Sequence, residues 1–304
     1  MLPKIDVPIY ETHLISNGEL VRFRPFLVKE QKLFLMASES DDQKETINTI
    51  KQVLRNCILD DIDVDKMATF DIEHVFLQLR ARSVGEVVNL KFTCNNDIEE
   101  DKKCGNTVQI DVNVLDIKPE LDKEHKNKIE ITEKVGIVMK YPTFGSVNFA
   151  DINTEDMDQI LNIIVSCVDY IYDEEQVYHA KDVSKKELIE FIENLKQTDL
   201  EKISEFFNTL PKIKKDVEFD CNKCGYHETI HLEGIQSFFA AFSHETLGNY
   251  FQTNFALMQH HKYSLTELDN LLPWERQVYI DLLLKHIDEE TERIKEEKRR
   301  AGKS

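Results

Sequence analysis

The chain has 304 residues, 41% of them hydrophobic and 31% charged, which is enough apolar content for a sizeable core and too much for a disordered chain. A formal net charge of −19 repels phosphate backbones and weighs against nucleic acid as the main partner. The start, Met1-Leu2-Pro3-Lys4-Ile5-Asp6, holds no apolar core of signal-peptide length, and no uninterrupted apolar run approaches the roughly 18 residues of a membrane span. A soluble cytoplasmic protein that does not engage membranes is therefore expected.

Ile9 to Ile15 and Leu20 to Arg24 flank Ser16-Asn17-Gly18-Glu19 and predict a β-hairpin, because an Asn-Gly pair accepts the left-handed conformations of a tight turn. Helices are expected at about 27–38, 42–58 and 71–83, where apolar residues recur at spacings of three and four. Asp41 or Asp42 suits the cap of the second and Asp71 that of the third, and Gly85 closes the block. A strand at 86–93 leads into Cys94, and another at 107–114 leads away from Cys104. The charged, Pro-containing stretch 115–127 reads as an exposed connection.

Strands at 128–132 and 136–141 come next, then a helix at 154–172, a short strand or turn at 176–179, and helices at 184–196 and 198–209 stopped by Pro211. Strands flank Cys221 and Cys224, and from about 234 the chain reads as helical. Its last stretch, from Pro273 to about Arg300, begins amphipathic and ends as the solvated run Glu296-Glu297-Lys298-Arg299-Arg300. The fold class is α+β, with mixed helices and antiparallel β-hairpins. An α+β domain over 1–235 and a helical C-terminal region over 236–304 are expected.

Six cysteines in a chain without a secretion signal point to reduced thiols or metal ligands. Cys57 and Cys167 lie inside apolar helical patterns and read as core residues. The other four belong to two segments that repeat each other. Leu90-Lys91-Phe92-Thr93-Cys94 and Cys104-Gly105-Asn106-Thr107-Val108-Gln109-Ile110-Asp111-Val112 match Val217-Glu218-Phe219-Asp220-Cys221 and Cys224-Gly225-Tyr226-His227-Glu228-Thr229-Ile230-His231-Leu232. Alternation on both sides makes each segment (about 86–114 and 213–233) a hairpin with cysteines at its tip.

This is the pattern of a zinc ribbon, in which Cys94, Cys104, Cys221 and Cys224 would hold a structural Zn2+. Gly105 and Gly225 would permit the knuckle turns. The second pair has the usual two-residue spacing, while nine residues, Asn95 to Lys103, interrupt the first. His227 and His231 are close in sequence but read as surface strand residues.

Other constellations carry less. Asp61, Asp63 and Asp65 resemble the start of an EF-hand loop, yet Lys66 and Ile72 stand where that loop needs Gly and Glu. Adjacent His260 and His261 point about 100° apart on a helix. No phosphate loop, nucleophile elbow or zincin helix is present in the sequence, so no enzymatic role is expected. In Leu272-Pro273-Trp274-Glu275-Arg276, with Tyr279 beyond, Trp274, Arg276 and Tyr279 are the residue types enriched at binding hot spots.

Several stretches together resemble the baseplate hub protein family of contractile-tailed phages of the T-even type. They are Arg22-Phe23-Arg24-Pro25-Phe26-Leu27-Val28-Lys29-Glu30-Gln31-Lys32, Phe76 to Val87, Val138-Met139-Lys140-Tyr141-Pro142, Asp169-Tyr170-Ile171-Tyr172-Asp173 and Phe219 to Gly225. The resemblance spans roughly residues 1–240 and includes both cysteine pairs, although the first knuckle is usually shorter in that family. Tyr263 to Leu268 and Leu272 to Tyr279 are similar to a shorter motif of tail and baseplate assembly proteins.

The resemblance implies a protein that helps build the hub at the centre of the baseplate, by binding other tail and hub proteins. It would act in the host cytoplasm during assembly, or stay in the virion tail baseplate as a permanent subunit. A zinc-ribbon nucleic-acid binder is the rival from another class. It would need basic hairpin tips, whereas the tip after Cys94 carries Asp97, Glu99, Glu100 and Asp101.

Overall fold

The computed structural model describes residues 7–40, 42–99, 102–143, 145, 156–242 and 245–301. The chain opens with the hairpin β1 (Tyr10–His13) and β2 (Leu20–Phe23), paired from Tyr10↔Phe23 to His13↔Leu20. Three helices follow: α1 (Val28–Ser38), α2 (Gln43–Cys57) and α3 (Thr69–Val84). Asp42 caps α2 by accepting from the Lys44 N–H, and Gly85, at φ 136°, ends α3.

Asp71 does not cap α3. The helix begins two residues before it, and its carboxylate accepts the Ile15 and Ser16 N–H groups at 2.6 and 3.1 Å. It therefore ties the β1–β2 turn to the helix, and burial raises its pKa above the usual carboxylate range.

The chain then forms the ribbon β3 (Val87–Thr93) and β6 (Thr107–Asn113), with a small excursion, β4 (Asp97–Glu99) and β5 (Lys102–Lys103), at its tip. The stretch expected as an exposed connection contains β7 (Pro119–Glu120), an edge strand of the second ribbon, which is formed by β12 (Lys212–Asp220) and β13 (His227–Glu233). A Pro is tolerated there because an edge strand can spare a donor.

Between the two ribbons in sequence lies an antiparallel sheet of order β11-β10-β9-β8, built from β8 (Lys128–Glu130), β9 (Gly136–Met139), β10 (Val168–Tyr172) and β11 (Val177–His179). Helices α4 (Met157–Ser166), α5 (Lys185–Glu193) and α6 (Gln197–Asn208) accompany it. The helix expected over 154–172 stops at Ser166; residues 154 and 155 lie outside the described residues. Val168 to Tyr172 instead pair with β9, where a β-branched and aromatic run is favoured over helix. A short apolar run of this kind fits either period.

The C-terminal part holds α7 (Gly234–Phe242), α8 (Leu247–His261), α9 (Leu265–Asp269) and α10 (Pro273–Ala301). One core joins the N-terminal hairpin, α1 to α3, both ribbons and α7, with Phe23, Leu54, Ile72, Leu90, Val217 and Phe238 among its buried members. A second core lies between the β8–β11 sheet and α4 to α6, around Ile137, Met139, Ile203 and Phe206. Tyr250 of α8 packs with Val28 and Leu35 of α1 and so docks the C-terminal helices on the first core.

Candidate metal centre

Each ribbon forms because its strands alternate. Val88 and Leu90 of β3, like Val217 and Phe219 of β12, face inward while their neighbours face water. The registers repeat as well: Leu90 lies opposite Ile110, and Val217 opposite Ile230. This alternation aims the strand ends, and hence the cysteines, at one point.

The two tips close in the same way despite their unequal lengths. Gly225 N–H donates to the Cys221 carbonyl at 2.8 Å and Cys221 N–H to the Tyr226 carbonyl at 2.8 Å. Gly105 N–H donates to the Cys94 carbonyl at 3.0 Å and Cys94 N–H to the Asn106 carbonyl at 2.8 Å. Both glycines are left-handed, at φ 64° and 72°, which is why glycine stands there. The extra residues of the first tip loop out through β4 and β5. Cys104 N–H donates to the Asn96 carbonyl at 2.8 Å and closes the neck of that excursion. Cys94-Asn95-Asn96 followed by Cys104 thus takes the place of Cys221-Asn222-Lys223-Cys224.

The four sulphurs converge, with all ligand atoms within 4.8 Å of one another. Cys94 Sγ lies 3.7 Å from Cys224 Sγ, and Cys104 Sγ lies 3.7 Å from Cys221 Sγ, so each contact joins one knuckle to the other and none is a disulfide. Cys94, Cys104 and Cys221 are buried and Cys224 is half-buried. Side-chain amides face the sulphurs: Asn106 Nδ2 is 3.5 Å from Cys221 Sγ and Asn96 Nδ2 is 3.8 Å from Cys224 Sγ. Lys223 Nζ crosses to the Cys104 carbonyl at 3.0 Å.

Protons are held unequally. The backbone N–H groups of Cys224 and Lys223 pull the Cys221 thiol down to about 6, against its burial. At Cys94 the Asn96 N–H also pulls downward, but burial and the thiols of Cys224, Cys221 and Cys104 outweigh it and push the group up to about 12. Cys104 is raised for similar reasons, against the Asn106 N–H. Four packed sulphurs cannot all ionise alone, and a cation at their centre would let them. The cluster has the donors and the spacing to hold a metal ion.

The remaining cysteines and candidates lie elsewhere. Cys57 and Cys167 are buried, and burial raises their thiols to about 12 and about 11. His227 and His231 bond outward to Asp220 and Asp216 at 2.9 and 2.7 Å. Asp63 caps a short 3-10 turn at Val64–Lys66, and Asp65 pairs with Lys51 and Arg55.

On α10, Trp274 and Tyr279 are 43% and 48% exposed, whereas Arg276 is 4% exposed. The Arg276 guanidinium lies 5.1 Å over the Tyr250 ring and bonds Glu245 Oε2 at 2.5 Å and Asn254 Oδ1 at 3.2 Å. Of the three expected docking residues, two face water and Arg276 holds α10 against α8. Asn96 and Asn106 escaped the sequence reading: the pattern Cys-Asn-Asn … Cys-Gly-Asn sets both amides two residues after a first-knuckle cysteine, and the fold turns them onto the second-knuckle sulphurs of Cys224 and Cys221.

The T4 bacteriophage base plate protein family matches residues 7–240, a span that includes both cysteine pairs. A relative, the baseplate hub assembly protein gp26 of Enterobacteria phage T4, is 22% identical over 230 residues, covering 76% of this chain and 97% of the relative. No solved structure matches the chain.

Proposed function

Because the chain belongs to the T4 bacteriophage base plate protein family, we propose that it is a baseplate hub assembly protein, binding other phage tail proteins while the central hub is built. The observation that carries this reading is the match to a hub assembly protein over nearly that protein's whole length. No helix of the described residues is long and apolar enough to cross a membrane.

Zinc is the ion the site fits best. A Zn–S bond of about 2.3 Å places the sulphurs of a tetrahedron ~3.8 Å apart, and two cross-knuckle pairs stand at 3.7 Å. Cys94, Cys104, Cys221 and Cys224 would fill all four positions, so the ion would join the ribbons and leave no position for a substrate. The role is structural and the protein acts by binding, in the host cytoplasm. Trp274 and Tyr279, with exposed Val278 and Leu282 beside them on α10, form the face offered to a tail protein.

Two measurements test the reading. Affinity capture from infected cells should recover hub proteins with the tagged chain; recovering none would remove the hub role. Quantitative mass spectrometry of purified particles should find the chain absent or strongly substoichiometric. A stoichiometric amount would make it a permanent subunit of the virion baseplate instead.

A further inference from the structure

The last helix outruns the body it docks on. Near its start α10 buries Arg276 and half-buries Ile280, but from Asp281 to Arg300 every side chain is exposed except that of half-buried Leu283. This arm is about 30 Å long at a rise of ~1.5 Å per residue. Helices in proteins draw most of their stability from packing an apolar face, and this one has such a face. Ile280, Ile287, Ile294 and Ala301 recur every seven residues, and Leu284 stands four beyond the first of them. Leu284, Ile287 and Ile294 are 56%, 38% and 51% exposed. The stripe continues the side on which Arg276 is buried and lies opposite Trp274, Val278 and Leu282. It is therefore separate from the face read as meeting a tail protein.

The charges along the arm say what fits it. Residues 281–292 carry five carboxylates and one lysine, whereas 293–301 carry five cations and two carboxylates. Pairs within the helix, such as Lys295 Nζ to Glu292 at 2.8 Å and Arg300 to Glu296 at 3.8 Å, are exposed and hold little of this charge in place. A second arm laid alongside in the same direction would set acid against acid and base against base. Laid in the opposite direction, about a twofold axis near Thr291, it sets each acidic half against a basic one. Over 281–304 carboxylates and cations are equal in number, so the net charge of −19 belongs to the rest of the chain. Antiparallel arms hold those two acidic bodies at opposite ends, where their repulsion is least.

We propose that α10 pairs with a second copy of this chain, arm against arm and antiparallel, burying the stripe from Leu284 to Ile294. Such a contact is self-complementary, because each copy presents the same acidic half, basic half and apolar stripe. Thr291 and Lys298 interrupt the stripe, so the dimer forms reversibly.

Sedimentation equilibrium of the full-length protein, at tens of micromolar, should show a monomer–dimer equilibrium. Replacing Asp288→Lys, Glu290→Lys and Glu292→Lys together makes both halves of the arm basic. Replacing Arg293→Glu, Lys295→Glu and Arg299→Glu together makes both acidic. Each triple variant alone should dimerise at least tenfold more weakly than the native chain. Mixed in equal amounts, the two should form a dimer holding one copy of each, a rescue that misfolding cannot imitate. Direction is read by cysteine pairing under mild oxidation with the native chain as control: Thr291→Cys, beside the axis, should link two copies, and Ala301→Cys, at the far end, should not.

A monomeric native chain, a mixture no more dimeric than its parts, or disulfides at both positions would each overturn the proposal. The first of these outcomes would leave the stripe free for a tail protein. No tail protein is present in these measurements, so the hub role stands or falls separately.

Discussion

Phe92 and Phe219 lie face to face, their ring centroids 5.8 Å apart and their planes within 2° of parallel, although they belong to strands far apart in the chain. Each ring precedes its knuckle by two residues, so the pair repeats, one layer down, the convergence of the sulphurs. The two ribbons thus meet twice, once through apolar stacking and once through cysteine. Phe219→Ala should cost about 3 kcal/mol and Phe92→Ala, at a half-buried position, somewhat less. A double-mutant cycle by urea unfolding should leave a coupling of ~1 kcal/mol. Strictly additive losses would show that the rings touch without supporting each other.

Metal loading should be strongly pH-dependent. At pH 7 the raised Cys94 and Cys104 thiols still carry protons, while Cys221, at about 6, has largely released its own. A divalent ion must expel the protons that remain, so affinity rises with pH and falls further below 6 as Cys221 also protonates. Calorimetry in buffers of different ionisation enthalpy should register release of at least two protons per ion at pH 7. One zinc per chain should be found in protein purified without added metal, and Cys221→Ser should lower both zinc content and Tm. A native chain free of metal, with the four knuckle thiols reactive, would leave the ribbons joined by packing alone.

The excursion β4–β5 is bridged at its neck by the Cys104 N–H and the Asn96 carbonyl. Deleting 97–103 would join Asn96 to Cys104 and create a second knuckle of the same length as Cys221 to Cys224. Zinc stoichiometry and Tm should survive this deletion nearly unchanged. A lost metal site would mean that the excursion shapes the first knuckle and is more than an insertion into it.

Much of this arrangement was legible in the residues. The alternation around Leu90, Ile110, Val217 and Ile230 gave the two matched hairpins, and the Cys-Gly steps gave the tips, because strand period and knuckle chemistry are local properties. What the chain concealed was tertiary. Asp71 has the chemistry of a cap, but its carboxylate is spent on the N–H groups of Ile15 and Ser16, which only the folded hairpin brings near. Val168 to Tyr172 could complete a helix until β9 offers them a strand partner. Arg276 has the character of a hot-spot residue, and only the positions of Glu245, Asn254 and Tyr250 show that it points inward.

Glu73 gives the first core a pH dependence. Burial raises its pKa to about 7, opposed by the Ile235 N–H at 3.2 Å and reinforced by nearby Glu233. The folded state therefore keeps a proton that the unfolded chain releases near 4.5, and stability falls as pH rises from about 4.5 through about 7. The contribution is on the order of 3 kcal/mol. Glu73→Gln, which can still accept from Ile235, should flatten that part of the stability profile in urea titrations at pH 5 and pH 8. An unchanged slope would assign the dependence to other groups.

Trp274 and Arg276 are two residues apart on α10 yet should fail in opposite ways when truncated. Trp274 is nearly half exposed, so Trp274→Ala should leave Tm within a few degrees while reducing capture of hub proteins at least tenfold. Arg276→Ala would leave Glu245 without its cation and Asn254 Oδ1 without its donor beneath the helix, a loss of about 3 kcal/mol or more. Its effect on capture should then follow unfolding of the C-terminal helices, visible as lost helical circular dichroism at the temperature of the assay. If Trp274→Ala melts the protein as readily as Arg276→Ala does, the tryptophan is part of the packing, and the docking face must be sought elsewhere on α10, around Leu284 and Ile287, both exposed.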